Sequence, residues 1–416
     1  MPILSSGGSR YGGDSGDADV RAYLSRAQEQ LDNRDVQGAI ASANSAIQLD
    51  CRSAIAHAFL GYIHMLQGNF PEAHQQLTAA IDLDGTNALD YHNRGSAQLK
   101  LGEYDKAIED FSRAIDLRPD LKDTLLTRGR AYSRLHRFLA AVDDFSRVID
   151  LDPQNCDAYL ERGYALYYVS RLREAIRDLS QVLQMKPDDA DVLLKRAEMF
   201  MQTGNPAAAA RDIKKVVAMQ PDKVDALVRL AIVLTQLGKP EEAIAVFDTC
   251  IALEPNMALL HHNRALNLQG LCRDEEAVQG FSTAIDACAD PIDDRPVIIN
   301  AHIYRGISIG RLGDHEAAHA DFTKAIEESP DNGFAYTMRG CSSLERGEVD
   351  AARADFEAAL RIDPQNKVAL YQRAFINFED RDFRRAVEDC DAILAIDPTM
   401  KMARELRARA LREGNT

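Results

Sequence analysis

Residues 315–319 read HEAAH, which matches the H-E-x-x-H arrangement of zinc sites. In such a helix His315 and His319 would share one face and bind Zn²⁺, while Glu316 would activate the attacking water. A third zinc ligand does not follow at the spacing that such sites use. The two histidines also stand where comparable stretches have aromatic or aliphatic residues, so we expect both to pack against helices. A zinc-dependent hydrolase at these three residues is the alternative from a different functional class.

Arginines recur at matching places along the chain, and a row of guanidinium groups suits phosphate binding. Seven aspartates favour another role, because each lies sixteen residues after one of these arginines. They are Asp110, Asp144, Asp178, Asp212, Asp321, Asp355 and Asp389. Where Leu230 replaces the arginine, Val246 replaces the aspartate. We therefore predict Arg–Asp pairs that join two helices, which makes these arginines part of the scaffold.

Charge and hydropathy limit the possible partners. The chain of 416 residues has 65 acidic and 49 basic side chains, a net charge of −16. Nucleic-acid binding needs basic surface that neutralises phosphates, so we predict no nucleic-acid partner. The sequence has no stretch of eighteen apolar residues, and its first twenty residues lack the apolar run of a secretory signal. We expect no membrane insertion and a cytoplasmic location.

Cysteines and glycines do not indicate a cofactor. The seven cysteines are scattered and form no CxxC pair, so neither a disulfide framework nor a zinc knuckle is indicated. Gly7 and Gly8 follow no strand and precede no GK[ST], so they do not form a phosphate-binding loop. No G-x-S-x-G nucleophile motif occurs. We predict that the protein is not an enzyme and needs no cofactor.

The elements that carry these residues form an internal repeat. Eleven alanines align at a spacing of 34 residues, apart from one insertion of seven residues before the ninth. They are Ala39, Ala73, Ala107, Ala141, Ala175, Ala209, Ala243, Ala277, Ala318, Ala352 and Ala386. A glycine or alanine precedes each by twelve residues, an apolar residue (often Phe) usually follows four residues later, and a proline closes most repeats.

Each of these positions has a physical role in a pair of helices. Small residues let two helices cross closely, and the phenylalanine fills the space behind the crossing. A turn such as Leu101-Gly102-Glu103 ends the first helix, and the proline ends the second. We name these helices A and B. Because one pair cannot bury its apolar face alone, neighbouring repeats must stack.

This pattern resembles the tetratricopeptide repeat over residues 20–400. The resemblance implies an all-α fold, a right-handed superhelical solenoid of about eleven helix pairs with a C-terminal capping helix. We expect a flexible Gly/Ser-rich leader at 1–19, repeats 1–8 at 20–291, a connector at 292–298, repeats 9–11 at 299–400 and the capping helix at 401–416. Whether the connector acts as a hinge is left open.

The last helix is predicted from its amphipathic pattern. Met402, Leu406 and Ala410 should face inward, while its arginines, among them Arg407, should face water. The alternative is a basic tail that binds a partner.

In this family the A helices line a concave groove, which the second, fifth, sixth, ninth, twelfth and thirteenth positions usually face. The Lys and Asn set with which some members clamp chaperone tails is missing, because only single asparagines such as Asn93 and Asn263 match it. An acidic series stands at the second position of four A helices, with Asp123, Asp157, Asp191 and Asp225. These acids either place favourable negative charge at helix N-termini or form an acidic surface that binds a basic partner.

The groove positions supply the candidate binding residues, because tyrosines beside arginines often dominate interfaces. These residues are Arg130, Arg134, Tyr164, Tyr167, Tyr168, Lys195, Arg229 and Asn263. The tyrosines suit packing between neighbouring A helices equally well. Towards the C-terminus the predicted groove becomes apolar, with Ile303, Ile307, Met338, Leu344, Phe375 and Phe378.

The resemblance and these residues together predict a non-enzymatic scaffold or adaptor. It would bind an extended peptide or a partner helix in the concave groove. The alternative among binding functions is self-association, with one end of a molecule entering the groove of another. The sequence does not identify the partner protein.

Overall fold

The computed structural model describes residues 15–288 and 294–414, which contain 23 α-helices and no strand. Residues 1–14 of the predicted leader, part of the insertion and the last two residues lie outside this range. The described chain forms two compact units, of which the N-terminal ends at Thr203 and the C-terminal begins at Gly204. The all-α prediction is confirmed for the described residues.

The N-terminal unit contains eleven helices, of which α1–α10 pack as five consecutive pairs, with α11 against α10. They are α1 Ser15–Asp32, α2 Val36–Leu49, α3 Ala54–Gln67, α4 Phe70–Leu83, α5 Ala88–Lys100, α6 Tyr104–Leu117, α7 Lys122–Arg134, α8 Phe138–Leu151, α9 Cys156–Tyr168, α10 Leu172–Met185 and α11 Ala190–Gln202. The odd-numbered helices are the A helices of repeats 1–6.

The C-terminal unit contains twelve helices. They are α12 Pro206–Met219, α13 Val224–Gln236, α14 Pro240–Leu253, α15 Ala258–Gly270, α16 Asp274–Asp286, α17 Arg295–Arg311, α18 His315–Glu328, α19 Gly333–Glu345, α20 Val349–Ile362, α21 Lys367–Glu379, α22 Phe383–Ile396 and α23 Lys401–Glu413. Helices α13–α22 pack as five consecutive pairs, and α23 packs against α22. A terminal helix of this kind covers the apolar face of the last repeat.

The predicted crossing of small residue and phenylalanine is confirmed in repeat 4. Phe145 is fully buried, and a Cβ added to Gly129 would lie 2.5 Å from its Cε1. Only glycine lets α7 and α8 approach this closely. In the C-terminal unit, a Cβ at Gly306 would lie 2.8 Å from Cε1 of Phe322.

The turn between the A and B helices has the same backbone conformation in all eleven repeats. Its central residue has a positive φ, which is glycine in six repeats, including Gly102 (φ 81°) and Gly313 (φ 93°). This confirms the predicted glycine stop. In the other five repeats a residue with a side chain takes this φ: Arg34, His136, Ser170, Cys272 and Arg381. Such residues are strained there, which the sequence pattern did not indicate.

Two helices begin earlier than the predicted boundaries. Helix α1 begins at Ser15, inside the range predicted as leader, because the apolar pattern marks only the buried face, which starts at Val20. Helix α17 begins at Arg295, inside the predicted connector, with Pro296 in its first turn. Proline is favoured at that place because its missing N–H has no helical partner there. No helix among residues 15–288 and 294–414 is long and apolar enough to cross a membrane.

Candidate functional site

The predicted Arg–Asp pairs form inside the repeats. In repeat 4, Nε and Nη2 of Arg128 donate to the two carboxylate oxygens of Asp144 at 2.8 and 2.7 Å. Asp144 is buried, so this two-pronged bond satisfies a carboxylate that has little contact with water. The equivalent pairs are Arg94–Asp110, Arg162–Asp178, Arg305–Asp321, Arg339–Asp355 and Arg373–Asp389. The scaffold role predicted for these arginines is confirmed.

A hydroxyl group of the preceding repeat completes this network. Nη1 of Arg128 donates to Oγ of Ser112 at 2.9 Å, and that hydroxyl donates to the carbonyl oxygen of Ile108 at 2.6 Å. Arg162 and Ser146 repeat the contact at 3.1 Å. The guanidinium group therefore joins its own repeat to the one before. This role was not predicted from the sequence, although a Ser or Thr stands sixteen residues before five of the arginines at this position, namely Arg94, Arg128, Arg162, Arg196 and Arg339.

Two arginines at this position use a different carboxylate. In repeat 8, Gly280 stands at the aspartate position, and Nε of Arg264 donates to Asp248 of the preceding repeat at 2.6 Å. In the capping helix, Arg407 bonds Asp391 in the same way. Arg407 remains 39% exposed, so it faces water as predicted while it pairs with an aspartate that replaces the hydroxyl of the preceding repeat.

The capping helix also turns a different face inward than predicted. Ala403, Leu406 and Ala410 are buried, whereas Met402 is 54% exposed. A residue at position 403 lies closer to the stripe of positions 406 and 410 on a helix than position 402 does.

Arg130 is held by carboxylates of the next repeat. Its Nε donates to Oε1 of Glu161 at 2.7 Å, and its Nη2 donates to Oδ2 of Asp157 at 3.3 Å. Arg130 is therefore already neutralised within the chain, which lowers its value for binding an anionic partner.

Tyr167, near the C-terminal end of α9, and Lys195, in the middle of α11, belong to one cluster. Nζ of Lys195 lies 3.9 Å from the centre of the Tyr167 ring and donates to both carboxylate oxygens of Glu198. The Tyr167 hydroxyl donates to Glu198 at 2.6 Å, and the amide of Gln202 donates to that hydroxyl at 3.3 Å. These contacts pack neighbouring A helices together, which is the structural alternative for this tyrosine.

Tyr168 is placed differently from Tyr167. It is 62% exposed and stacks on Phe138, with ring centres 4.6 Å apart and planes inclined by 13°. Tyr164 is half-buried, and burial, followed by the charges of Asp189 and Asp191, raises its pKa. Arg134 is exposed and forms no ion pair within the described residues. Tyr168 and Arg134 are thus the candidates on this unit that are most accessible to a partner.

Arg229 and Asn263 lie on the C-terminal unit. Nε of Arg229 donates to Asp225 one turn earlier on α13 at 2.9 Å. Asn263 is half-buried on α15, and its carbonyl oxygen accepts from the side-chain amide of Asn267 at 2.9 Å. The two residues stand on separate A helices.

The apolar surface of the C-terminal unit lies on residues that the sequence analysis only partly named. Ile303 and Phe378 are buried in the core, and the guanidinium carbon of Arg409 lies 4.7 Å from the centre of the Phe378 ring. Phe375 is partly exposed. The second position of the A helices would have indicated this surface, because it becomes apolar in most of the last repeats.

The A helices α19 and α21, and the capping helix α23 that takes the place of the next A helix, expose large apolar side chains at that second position. Phe334, Val368 and Met402 are 44%, 48% and 54% exposed on α19, α21 and α23. We name these three residues the A-helix apolar row. Large apolar groups that recur at one position of consecutive helices form a surface suited to apolar side chains of another chain.

HEAAH occupies the first turns of α18. His315 begins the helix, and its carbonyl oxygen accepts from Oγ of Ser342 at 2.7 Å. Burial lowers the pKa of His319, and the charges of Arg346 and Arg339 add to this effect. Among residues 15–288 and 294–414, no group of three or more His, Cys, Asp or Glu side chains is placed to hold a metal ion.

Three solved structures illustrate what this chain is similar to. The APC/C hetero-tetramer Cut9–Hcn1 has 14% identity and a TM-score of 0.46, with 96% of this chain and 99% of that chain covered. The MamA protein has 23% identity and a TM-score of 0.39, covering 42% and 96%. YrrB, described as a TPR protein with an unusual peptide-binding site, has 18% identity and a TM-score of 0.38, covering 48% and 99%. No curated protein matched the chain.

Three family models, each described as tetratricopeptide repeat, match the sequence. One matches residues 24–88, 126–167, 160–213 and 305–367, together more than half of the chain. The others match residues 200–266 and 88–121. The matched segments carry most of the helix pairs and, except for Arg373–Asp389, the paired arginines and aspartates described above, and the chain belongs to the tetratricopeptide repeat family.

Proposed function

We propose that the protein is a non-enzymatic scaffold whose A helices bind segments of partner proteins. The A-helix apolar row carries this proposal, because three exposed apolar side chains stand at one position of consecutive repeats. The occupant is a segment of another protein that presents several apolar side chains in a row, as an extended strand or an amphipathic helix.

The charged candidates support a separate contribution from the N-terminal unit. Arg130 and Lys195 are engaged by carboxylates of their own unit, so Arg134, Tyr164 and Tyr168 carry the proposed contact there. On the C-terminal unit, Arg229 and Asn263 are proposed to supply polar contacts on the A helices. Each unit is proposed to bind through its own surface.

The proposed location is the cytoplasm, and no cofactor is proposed. Cys250 and Cys390 support a reducing compartment, because both are fully buried and packed as small apolar side chains. Burial raises the pKa of each thiol to about 11, which keeps it protonated and unreactive.

Comparative affinity capture tests the proposal. Full-length wild type, a Phe334→Ser/Val368→Ser variant and a control Ile362→Ser/Ile396→Ser variant are each used to retain proteins from native lysate. The control removes equally exposed apolar groups from the ends of B helices. Quantitative mass spectrometry measures the amount of each protein that every bait retains. We expect some proteins to be retained by wild type and by the control but lost by the A-helix variant. Identical sets on all three baits contradict the proposal.

Two further measurements separate the alternatives. Light scattering over a range of concentrations tests self-association, since the A-helix variant would then lower the measured mass. Metal analysis tests the hydrolase, because bound zinc that is lost in His315→Ala would place a metal site at HEAAH.

A further inference from the structure

The turns between A and B helices in repeats 3–5 carry a basic surface on an acidic protein. Residues 99–106, 133–140 and 168–175 contain six basic and three acidic side chains, against a net charge of −16 for the whole chain. All three acidic side chains are neutralised locally, in Lys106–Glu103, Arg137–Asp105 and Arg171–Glu174 pairs.

Three cations are left over, one in each successive repeat. They are Lys100, Arg134 and Arg173, all exposed and without an ion pair within the described residues. A basic residue in the last turn of an A helix is favourable for the helix, which accounts for Lys100 and Arg134. It does not account for Arg173, which lies in the first turn of α10, where the helix dipole disfavours a cation.

Exposed apolar and aromatic side chains belong to the same turns as these cations. Leu139 and Tyr168 are each 62% exposed, more than the other large apolar side chains of the described residues. The Tyr168 ring is fixed by stacking on Phe138, and His136 meets Phe138 edge-on at 5.6 Å. A rigid tyrosine loses little conformational freedom on binding, which makes it an effective contact for another ring.

Two turn residues add to this surface at a conformational cost. His136 (φ 57°) and Ser170 (φ 61°) occupy the position at which six other repeats have glycine. A side chain in the left-handed region costs about 1–2 kcal/mol relative to an ordinary backbone conformation. In repeats 4 and 5 the chain thus keeps side chains beside Phe138 and Tyr168 where glycine would be less strained.

We infer that Lys100, Arg134, Phe138, Leu139, Tyr168 and Arg173 form a turn-edge surface that binds an acidic, aromatic-containing segment of a partner protein. The inference rests on the proposed interaction function and names the partner chemistry for the N-terminal unit. Carboxylates would pair with the three cations, and an aromatic side chain would stack on the exposed face of Tyr168.

A protein segment fits this surface better than a nucleic acid does. Single strands bind along grooves with many cations, and their affinity comes mainly from phosphate neutralisation. Three cations on a protein of net charge −16 can neutralise few phosphates. An acidic peptide needs only a few pairs, because aromatic contacts carry much of its binding.

A tryptophan-containing peptide provides the probe. The protein has no tryptophan, so the indole emission of a synthetic peptide of Asp and Glu with one Trp reports binding directly. Titration with full-length protein should shift this emission to shorter wavelength in a saturable way, and added salt should weaken binding. The same peptide with Ser in place of Trp should compete at least about tenfold less well.

Variants with matched controls locate the contact. Tyr168→Ser and Arg134→Glu should each weaken binding about tenfold, whereas Tyr168→Phe should retain it. Leu66→Ser removes an exposed apolar group from the same position of repeat 2, and Arg384→Glu makes the same charge change on the C-terminal unit. Both controls should bind like wild type, with unchanged helicity and melting in all variants.

Several outcomes would overturn the inference. The peptide would fail to bind, or neither Tyr168→Ser nor Arg134→Glu would weaken its binding. Alternatively, Arg134→Glu and Arg384→Glu would have equal effects, or a single-stranded oligonucleotide would displace the peptide at a lower concentration than the peptide itself needs for binding. None of these changes the capture result for the A-helix apolar row. A failure of this inference is therefore distinguishable from a failure of the proposed function.

Discussion

Replacing Asp90 should stabilise the N-terminal unit, and the gain should depend on pH. Asp90 is 5% exposed at the third residue of α5, where other repeats bury an uncharged side chain such as Ala56 or Ala158. Burial raises the pKa of Asp90 from its usual 3.8 to about 6. The hydrogen bond with Asn87 opposes this shift, and the charge of Asp84 adds to it.

The size of the gain follows from this pKa. One pKa unit corresponds to about 1.4 kcal/mol, so the buried carboxylate costs the folded state about 3 kcal/mol at neutral pH. The pKa of Asp90 is higher in the folded state than in the unfolded state. The folded state therefore keeps its full stability below pH 3.8, where Asp90 is protonated in both states. It loses about 3 kcal/mol as the pH rises through about 6 and the buried carboxyl group ionises. Asp90→Asn should therefore add about 3 kcal/mol at pH 7 and close to nothing at pH 3.8.

Hydrogen exchange of the full-length protein is the assay, because a chain of two units does not unfold in one step. Mass spectrometry of peptides from α4–α6 gives the local opening free energy of wild type and Asp90→Asn between pH 4 and 7.5. Asp84→Asn is the control, since it keeps the buried group and removes only a neighbouring charge, so it should give a smaller gain. An Asp90→Asn gain that is absent, or equal at both ends of the pH range, would refute the reasoning.

Three other changes test the packing of the repeats. Asp144→Ala should lower local stability by about 3–5 kcal/mol, because it leaves the guanidinium group of Arg128 without its carboxylate. The double variant Arg128→Leu/Asp144→Val removes both charges and should therefore be nearly as stable as wild type. Urea unfolding measures both effects. Ser170→Gly should raise the melting temperature, because it removes about 1–2 kcal/mol of left-handed backbone strain. Gly129→Ala should lower the melting temperature, because its methyl group would meet a buried ring at 2.5 Å. The control Gly270→Ala meets nothing within 4 Å and should be neutral or slightly stabilising.

The helix pairs and their buried charges could be predicted because they depend on spacing alone. Two residues sixteen positions apart fall on facing helices in every repeat, so Arg128 and Asp144 reveal their contact by recurring together. The contact of the half-buried Ser112 hydroxyl was not predicted, because the equivalent position holds Ser or Thr in some repeats and Asp or Glu in others. The strain at His136 was missed for a related reason, since a glycine column predicts the turn without showing that other residues adopt the same φ.

The candidate binding residues were harder to predict, because exposure depends on neighbours in the adjacent repeat. Tyr167 and Tyr168 are consecutive in sequence, yet one is bonded to Glu198 and the other is largely exposed. Likewise, Arg130 and Arg134 are one helical turn apart, but only Arg130 meets carboxylates of the next repeat. No property of a single repeat distinguishes the members of these pairs.

The arginine network indicates which charges are left for partners. Arg264 takes Asp248 of the preceding repeat where its own repeat has Gly280, so this partly buried guanidinium group still has a carboxylate when the usual one is missing. A buried, unpaired guanidinium group would be costly, whereas an exposed one such as Arg134 is not. Buried arginines are therefore committed to the scaffold by their desolvation. On the turns between the A and B helices of repeats 3–5, the exposed cations without an ion pair are those of the turn-edge surface.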